Sequence, residues 1–408
     1  MDNQKLSIKR TGFVRIVIPL ALTVSLLSAN PAYGQVHSGN VINSNEAPQM
    51  VLRDKSLVVQ PYVSGLDLPY TMAFVENDIL VVEKTTGNVR LIRDGELQAD
   101  PVLSLNVSSV TGEEGLIGIF AKGSTIYLDF TTRDSENKVS TWFYRYTWNG
   151  SKLTDPVMLK KIPGGSGLHN GGAITADVNG TVYGVMADQW DKRGVLQNHP
   201  NGGGPDDTSV IFPLELGDSN DYYAIGIRMS LGLAVDPVTG YMWDTENGGS
   251  AYDEINLVTP KFNSGWDVIM GPANSSRLAN LPEYDGYTYQ DPKFSWEVPG
   301  GVVAPTFIRS DLFKDYQDSV LVGAFHSGAL YELKLNEDRT GFEFEDPSLA
   351  DLVLNKEDDP SAIIFGTGFV GVTDIEEGPD GLIYLVSAVD GTIYKIAPED
   401  TLISGTGN

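Results

Sequence analysis

The chain has 408 residues, and its 28 lysines and arginines stand against 54 aspartates and glutamates, which gives a formal net charge of −26. This deficit of basic side chains argues against a nucleic-acid-binding protein, because phosphate recognition needs clustered lysine and arginine. The sequence contains no cysteine, which excludes disulfides, thiolate metal ligands and a cysteine nucleophile. With only four histidines, a three-histidine zinc site is also disfavoured.

The N-terminal segment has the order of a secretory signal peptide. Basic residues between Lys5 and Arg15 precede an apolar run at residues 16–29, and small residues follow at residues 32–34. We therefore predict a signal peptide over residues 1–34 and a protein that is secreted, periplasmic or bound at the cell surface. An uncleaved anchor is the weaker alternative, because the run is shorter than the roughly 20 residues of a membrane span. No integral membrane span is expected in the mature chain.

Strand-like runs recur along the rest of the chain. Residues 35–54 are polar and predict a flexible leader. Six runs of β-branched and aromatic residues follow, each bounded by turn residues. They lie at residues 79–83, 126–130, 182–186, 242–246, 320–324 and 383–387. Hairpins are predicted at residues 83–89, 324–330 and 387–393.

Six strand-rich units on a chain with 44 glycines predict an all-β fold. We expect a six-bladed β-propeller with four-stranded antiparallel blades, and a pair of β-sandwiches is the alternative. Residues 55–398 would form a single propeller domain, followed by a C-terminal tail at residues 399–408. The architecture further predicts that residues 57–63 pair with residues 392–396 to close the ring.

The glycine-rich segment at residues 167–172 (Gly-Leu-His-Asn-Gly-Gly) carries the first candidate for catalysis. Other groups can approach His169 closely there, because glycines flank it. Asp188 follows the predicted strand at residues 182–186 and could orient the imidazole and raise its basicity. The alternatives are a structural histidine and an aspartate that caps a turn.

Two later segments carry further candidates. Arg228 lies between apolar residues, where a guanidinium needs a protein carboxylate or an anionic or carbonyl ligand as its partner. Residues 243–256 combine several carboxylates with two glycines, which offers the hard oxygen ligands that calcium prefers. A solvated acidic loop is the alternative for this second segment.

Six segments, taken in order, resemble the glucose/sorbosone dehydrogenase family of soluble quinoproteins. The resemblance spans about residues 58–397 and implies a six-bladed propeller. Its markers lie at residues 66–74, 112–118, 167–172, 226–233, 245–256 and 373–381. The resemblance implies that an aldose hydroxyl is oxidised with pyrroloquinoline quinone (PQQ) as hydride acceptor, and that an external electron acceptor reoxidises the cofactor.

The resemblance also implies roles for individual residues. His169 would be the general base, Asp188 would polarise it, and Arg228 would stabilise the quinone oxygen. Cofactor-binding positions fall on Glu113, Arg228, His326 and Gly248. The carbonyls of Gly248 and Gly249 would hold calcium against the quinone, and Glu254 would bind a structural calcium ion.

Departures from the family pattern leave other functions open. The pair of arginines that holds the cofactor carboxylates in the family is replaced here by Gly371 and Thr373. A first alternative is therefore a non-catalytic, calcium-stabilised propeller that binds sugars or surface polymers. A second alternative is a calcium-dependent lactone hydrolase, because a divalent ion and a carboxylate could activate water.

Overall fold

The structure is a computed structural model that describes residues 49–190, 194–204, 206–215, 221–284 and 286–404. The predicted signal peptide and most of the predicted leader lie outside these residues. Residues 51–52 of that leader already form a strand, so the folded part begins earlier than the sequence suggested.

The described residues contain 29 strands, two short α-helices and four short 3-10 helices. The strands, in chain order, are β1 (Val51–Leu52), β2 (Leu57–Ser64), β3 (Pro69–Val75), β4 (Asp78–Glu83), β5 (Asn88–Arg93), β6 (Glu96–Leu97), β7 (Leu103–Ser104), β8 (Leu116–Lys122), β9 (Thr125–Arg133), β10 (Val139–Trp148), β11 (Leu153–Pro163), β12 (Ile174–Ala176), β13 (Val182–Met186), β14 (Val210–Pro213), β15 (Ala224–Ile225), β16 (Ser230–Val235), β17 (Met242–Glu246), β18 (Asp253–Val258), β19 (Phe262–Asn263), β20 (Thr288–Tyr289), β21 (Phe294–Trp296), β22 (Val302–Phe307), β23 (Ser319–Ala324), β24 (Leu330–Lys334), β25 (Val353–Leu354), β26 (Ile364–Thr367), β27 (Val372–Glu377), β28 (Ile383–Ser387) and β29 (Thr392–Pro398). The α-helices are α1 (Ser275–Asn280) and α2 (Glu399–Ser404), and the 3-10 turns are Val195–Gln197, Asp311–Tyr316, Pro347–Leu349 and Pro360–Ala362.

These strands form six sheets, numbered here by the order of their first strands. Sheet I contains β3 to β7, and sheet II contains β8 to β11. Sheet III contains β12 to β15 together with β19 and β20, and sheet IV contains β16 to β18 together with β21 and β25. Sheet V contains β22 to β24 together with β26 and β1, and sheet VI contains β27 to β29 together with β2. Each sheet has a core of four antiparallel strands.

The prediction that every sheet has four strands is wrong for sheets I, III, IV and V. Besides its four core strands, each of these sheets has one or two additional strands of two residues, on the side away from its first strand. The prediction of purely antiparallel pairing is also wrong, because β19 pairs in parallel with β15 and β20, and β25 pairs in parallel with β21. Most of these additions come from the long loops, and β1 comes from the segment that precedes β2. Such short extended stretches satisfy their backbone groups on the nearest sheet edge.

The first strands of the six sheets surround a central axis. Each contacts the next in the order β3, β8, β12, β16, β22 and β27, and β27 contacts β3 again. This closed arrangement is a β-propeller, and the prediction of an all-β propeller is confirmed. The predicted pairing of the first and last strands of the domain is also correct, because β2 pairs with β29 in sheet VI.

Each of the six predicted strand-like runs lies in the second strand of a sheet. These second strands, β4, β9, β13, β17, β23 and β28, are buried along most or all of their length. Their side chains are buried because both faces of each strand pack against neighbouring sheets, and most of them are apolar or aromatic. The main exception is β17, which carries Asp244, Thr245 and Glu246. Leu80 and Val82 of sheet I, for example, share a core with Leu116 and Leu128 of sheet II. All three predicted hairpins are present.

First and second strands run antiparallel, so the beginning of one lies at the same end of the ring as the end of the other. We call this end the mouth. The segments before β8, β12 and β16 and the segments after β13 and β17 all reach it. Residues 113, 169, 188, 228 and 248 lie on these segments. The topology therefore gathers most of the predicted site residues at one end of the propeller.

Neither helix in the described part of the chain is long and apolar enough to cross a lipid bilayer.

Candidate active site at the mouth

His169 and Asp188 form a hydrogen-bonded pair at the mouth. The imidazole Nδ1 lies 2.5 Å from Asp188 Oδ1, and both residues are buried, with 5% and 4% of their surface exposed. His169 adopts a φ of +52°, in the left-handed region, which turns the chain sharply between sheets II and III. The pairing that the sequence suggested across 19 residues is therefore present.

Asp188 is held by two further donors. The backbone N–H of Trp190 donates to Oδ1 over 2.9 Å, and the indole Nε1 of Trp266 donates to Oδ2 over 2.7 Å. Burial alone would raise the pKa of Asp188, but the hydrogen bond and charge of His169, the Trp190 amide and the Arg228 charge together lower it. Asp188 is therefore a carboxylate at neutral pH.

The ionised state of Asp188 fixes the tautomer of His169. A carboxylate can only accept a hydrogen bond, so Nδ1 of a neutral imidazole carries the proton and Nε2 is left as the basic nitrogen. The negative charge beside Nδ1 also stabilises the imidazolium that forms when Nε2 takes a proton. This is the geometry of a general base.

Arg228 places a positive charge next to this pair. Its guanidinium carbon lies 5.1 Å from the ring centre of Trp266 and 5.8 Å from that of Trp190, and Nη1 donates to the carbonyl of Asn247. The Arg228 backbone N–H donates to Glu246 over 2.7 Å, and its carbonyl accepts from the Asp188 N–H over 3.0 Å. Backbone and side chain together fix this cation within the site.

Glu113 also reaches the pair, through its carboxylate. Its Oε2 accepts a hydrogen bond from the backbone N–H of His169. The preceding residue, Gly112, accepts through its carbonyl from the ammonium of Lys84, whose residue surface is 7% exposed. Burial lowers the pKa of Lys84, although the charges of Glu113 and Glu114 oppose this shift. A cation and a carboxylate thus adjoin the histidine on the side of sheets I and II.

The predicted metal ligands separate into two groups. Gly249 adjoins the site, since a Cβ on this residue would lie 3.3 Å from Arg228 Nη2, and the Gly248 N–H donates to Asp253 over 2.9 Å. Glu254 lies in strand β18, opposite Glu246 of β17, and its Oε1 accepts from the Gly271 N–H. Among the described residues, no three histidine, aspartate or glutamate side chains form a group able to hold a metal ion.

Buried carboxylates nevertheless accumulate around Glu254. Asp244, Glu246 and Glu254 are each at most 1% exposed. Burial raises the pKa of all three. Repulsion by Glu246 raises the pKa of Asp244 and Glu254 further, and the charge of Asp188 does the same for Glu246. Neither oxygen of Asp244 has hydrogen-bond geometry to a described residue. Three acidic groups are thus concentrated inside sheet IV, in and beside the strand that leads to Asn247, and burial favours their neutral forms.

His326 lies on a different part of the ring. Its imidazole is perpendicular to the ring of Phe325, at 5.2 Å between centres, and follows β23 in sheet V. At Gly371, a Cβ would lie 2.5 Å from a methyl group of Val389 and 3.4 Å from Phe325, so apolar groups surround this position. Thr373 is buried, with a hydroxyl that has no partner among the described residues. These two positions supply no positive charge.

Sequence reasoning missed two functional side chains, Trp190 and Trp266. Both contact Arg228, and both donate hydrogen bonds to Asp188, one through its backbone and one through its side chain. Aromatic residues are common in propeller cores, so their type alone carries no signal. The only available hint was the position of Trp190, two residues after a candidate catalytic aspartate.

A further buried acid lies behind the turn that carries His169. Asp129 of strand β9 is fully buried, its Oδ2 lies 3.2 Å from where a Cβ on Gly171 would be, and neither oxygen has hydrogen-bond geometry to a described residue. Burial raises the pKa of Asp129 well above the ordinary value, and the nearby Gly172 amide offsets only part of the shift. Asp129 therefore contributes no negative charge to the catalytic pair at acidic pH.

The fold and the site define a β-propeller whose mouth holds an oriented histidine base beside a fixed arginine. Residues 66–395 match the family model of the glucose/sorbosone dehydrogenases, which is 330 of the 408 residues. The chain belongs to the glucose/sorbosone dehydrogenase family.

Individual relatives agree with this assignment. The aldose sugar dehydrogenase YliI of Escherichia coli K12 is 25% identical over 408 aligned residues, which cover 94% of this chain and 98% of the relative. An uncharacterized protein of Synechocystis, slr1608, is 25% identical over 91% of this chain and 95% of its own length.

Solved structures share the fold. The apo form of the soluble aldose sugar dehydrogenase from Escherichia coli superposes with a TM-score of 0.67 at 20% identity, covering 84% of this chain and 100% of that one. The PQQ-bound aldose sugar dehydrogenase from Streptomyces coelicolor gives a TM-score of 0.60 at 20% identity, covering 84% of this chain and 98% of that one.

Proposed function

We propose that this protein oxidises a hydroxyl group of an aldose, with PQQ as hydride acceptor and an external electron acceptor to complete the turnover. The observation that carries the proposal is the buried His169–Asp188 pair, 2.5 Å apart, beside the fixed guanidinium of Arg228. Oxidation of an alcohol needs a base for the hydroxyl proton and stabilisation for the charge that develops on the acceptor.

The residues of the chain divide this work. Nε2 of His169 accepts the proton of the sugar hydroxyl, while Asp188 holds the imidazole in the required tautomer and stabilises its protonated form. Arg228, which is only 3% exposed, supplies a positive charge that is largely shielded from solvent, where electrostatic interactions are strong. PQQ, when bound, accepts the hydride that leaves the sugar carbon.

The residues at the mouth fit the two ends of PQQ unequally. Arg228 and His169 suit the quinone ring, because a fixed cation and an acid–base group both contact the Trp190 ring at the mouth. Glu113, His326 and Gly248 are the other proposed cofactor contacts. The three cofactor carboxylates find no positive charge at Gly371 or Thr373. Two lost charge-assisted hydrogen bonds amount to about 3–6 kcal/mol, or two to four orders of magnitude in affinity.

We also propose that calcium assists the protein. The carbonyls of Gly248 and Gly249 would hold one ion near the cofactor, and Glu254 would bind a structural ion. The support is chemical: the buried carboxylates of Asp244, Glu246 and Glu254 repel one another, and a hard cation beside them would relieve this repulsion. Glu254→Ala should then lower the melting temperature in calcium but not in chelator, and an equal loss in both would contradict the metal role.

A second candidate function is sugar binding without turnover. It is favoured by one observation, the apolar surroundings that Val389 and Phe325 give to Gly371. A propeller of this lineage that no longer binds the quinone would keep a pocket for sugars at its mouth. The lactone hydrolase alternative requires several carboxylates around a central ion, and the described residues offer no such group.

A titration of the purified chain tests the proposal. PQQ is added with and without calcium, binding is followed by absorbance, and a panel of aldoses is then supplied with an artificial electron acceptor. Saturable binding with sugar-dependent reduction is expected, and His169→Ala should abolish turnover without preventing quinone binding. No binding at tens of micromolar PQQ would favour the non-catalytic function instead.

Three structural features remain part of the proposal. We propose a signal peptide at residues 1–34, followed by export to the periplasm or the cell surface. Residues 55–398 would form the single domain, together with β1 (Val51–Leu52), which pairs with β26 in sheet V. Each of the six sheets would be one blade, which makes the domain a six-bladed propeller.

A further inference from the structure

Trp190 is unusual among the tryptophans of this protein. All six tryptophans lie within the described residues, and only Trp190 has more than half of its surface exposed to solvent, at 51%. Trp243 and Trp296, in contrast, are at most 2% exposed in the core. An exposed indole ring is a large apolar surface in contact with water, and tryptophan is enriched at interfaces because its ring is apolar while its N–H can donate a hydrogen bond.

The exposed indole is fixed against the catalytic residues. Its ring is perpendicular to the His169 imidazole, at 88° and 4.9 Å between centres, and the Arg228 guanidinium carbon lies 5.8 Å from its own ring centre. The Trp190 backbone has a φ of +58° and donates its N–H to Asp188. The ring therefore presents a surface of defined orientation next to the His169 imidazole.

We propose that Trp190 is a specificity-determining residue, the platform on which the ring of the substrate sugar stacks while its hydroxyl meets His169. This inference rests on the proposed function and adds the contact that orients the sugar. The CH groups on one face of a pyranose form an apolar, slightly positive patch, and the face of an indole is apolar and slightly negative. The hydroxyl groups at the edge of the sugar ring stay available to His169 and to water.

The exposure of Trp190 favours the sugar over the cofactor as its partner. A resident cofactor binds first and lies against the buried groups, and Arg228 is only 3% exposed. The substrate enters later from solvent and meets the surface that is still open. Trp266 is the second aromatic ring that contacts Arg228, and it is half-buried, so it is less exposed to solvent than Trp190.

The test compares Trp190→Ala and Trp190→Phe with Trp142→Phe in the full-length protein. Trp142 of strand β10 donates its Nε1 to Thr132 and packs against Tyr144, both in sheet II, so it serves as the matched control. Every variant keeps the backbone N–H that binds Asp188. With saturating PQQ and calcium, we expect Trp190→Ala to raise the KM for the aldose about tenfold with kcat changed less than threefold, because one stacking contact is worth about one order of magnitude. Trp190→Phe should fall between, and Trp142→Phe should match the wild type.

An equilibrium measurement separates this inference from the proposed function. Intrinsic tryptophan fluorescence of the protein without PQQ is recorded during titration with D-glucose, D-xylose and maltose, and again during titration with PQQ alone. A saturable change with at least one sugar that disappears in Trp190→Phe but persists in Trp142→Phe supports the platform even if no turnover is found. An unchanged KM overturns it, as does a loss of PQQ affinity in Trp190→Ala without any effect on the sugar. If neither turnover nor a sugar-dependent change occurs in the wild type, both the proposed function and the platform fail.

Discussion

Asp188→Asn tests the central pair, because the substitution preserves the shape of the side chain and removes its charge. Three donors converge on the carboxylate: His169 Nδ1 and the Trp190 N–H on Oδ1, and Trp266 Nε1 on Oδ2. An asparagine has one accepting oxygen and one donating nitrogen. In either orientation of the amide, at least one of the three donors faces another donor.

The magnitude follows from the number of bonds lost. A hydrogen bond to a charged group is worth about 1.5–3 kcal/mol, so the free energy of unfolding should fall by at least that amount at pH 7. Turnover should fall about 10²- to 10⁴-fold, since the histidine loses the partner that fixes its tautomer and stabilises its charged form. The KM for the sugar should change much less.

The pH dependence gives an independent signature. The pKa of Asp188 is lower in the folded than in the unfolded protein, so its ionised form stabilises the fold above the unfolded pKa, about 3.9. This contribution is lost as the pH falls from there through the lower pKa of the folded state. The difference in unfolding free energy between wild type and variant should therefore be full at pH 7 and shrink in acid.

Urea unfolding from pH 3 to pH 8 measures the stability difference, and aldose-dependent reduction of an artificial acceptor measures turnover. Asp100→Asn, at an exposed aspartate, is the control and should change neither. Wild-type stability at neutral pH together with wild-type turnover in Asp188→Asn would refute the role of this carboxylate.

Two further predictions concern the support of the site. The pKa of Asp129 is raised in the folded protein, so the free energy of unfolding of the wild type falls as the pH rises above the unfolded pKa of about 3.9. This fall is at most about 1.4 kcal/mol per pH unit. Asp129→Asn should remove it. Urea unfolding at pH 5 and pH 8 measures this slope, and an unchanged slope would show that Asp129 ionises freely. Gly167→Ala should lower the free energy of unfolding by about 1–3 kcal/mol. Gly167 has a φ of +89°, which alanine rarely adopts, and its new Cβ would lie 2.7 Å from Arg133 Nη2. Arg133 forms an ion pair there with the buried Glu114. Gly112→Ala, where a Cβ would meet no atom within 4 Å, is the matched control, and equal melting temperatures for the two variants would contradict this explanation.

The second strands of the sheets were the most predictable part of the fold. Their side chains are buried on both faces, so the runs at residues 182–186 and 383–387 are continuously apolar or aromatic, and their bounds agree with β13 and β28. The short outer strands carry no such pattern. Strands such as β19 and β25 consist of two residues each and pair with segments far along the chain, so only the assembled sheet defines them.

The site was predictable where two side chains had complementary chemistry. His169 and Asp188 were paired correctly because a buried imidazole needs an acceptor and Asp188 follows a strand that ends at the mouth. Glu113 was placed near the cofactor, but its carboxylate binds the His169 backbone, and a backbone donor has no sequence signature. The roles of Trp190 and Trp266 depend on loop conformations, including a left-handed φ at Trp190, that no local pattern specifies.

The pairing of β2 with β29 has a consequence for how the protein is made. Synthesis delivers β2 more than three hundred residues before its partner, so sheet VI stays incomplete and the ring stays open until the last strand emerges. Until then, sheet VI cannot take its complete form beside sheet I, where β27 contacts β3. A chain shortened by the seven residues of β29 would thus be an unclosed ring with an exposed sheet edge rather than a slightly smaller propeller. Closure of the ring thus depends on pairing between segments more than three hundred residues apart, and contacts of such large sequence separation slow folding.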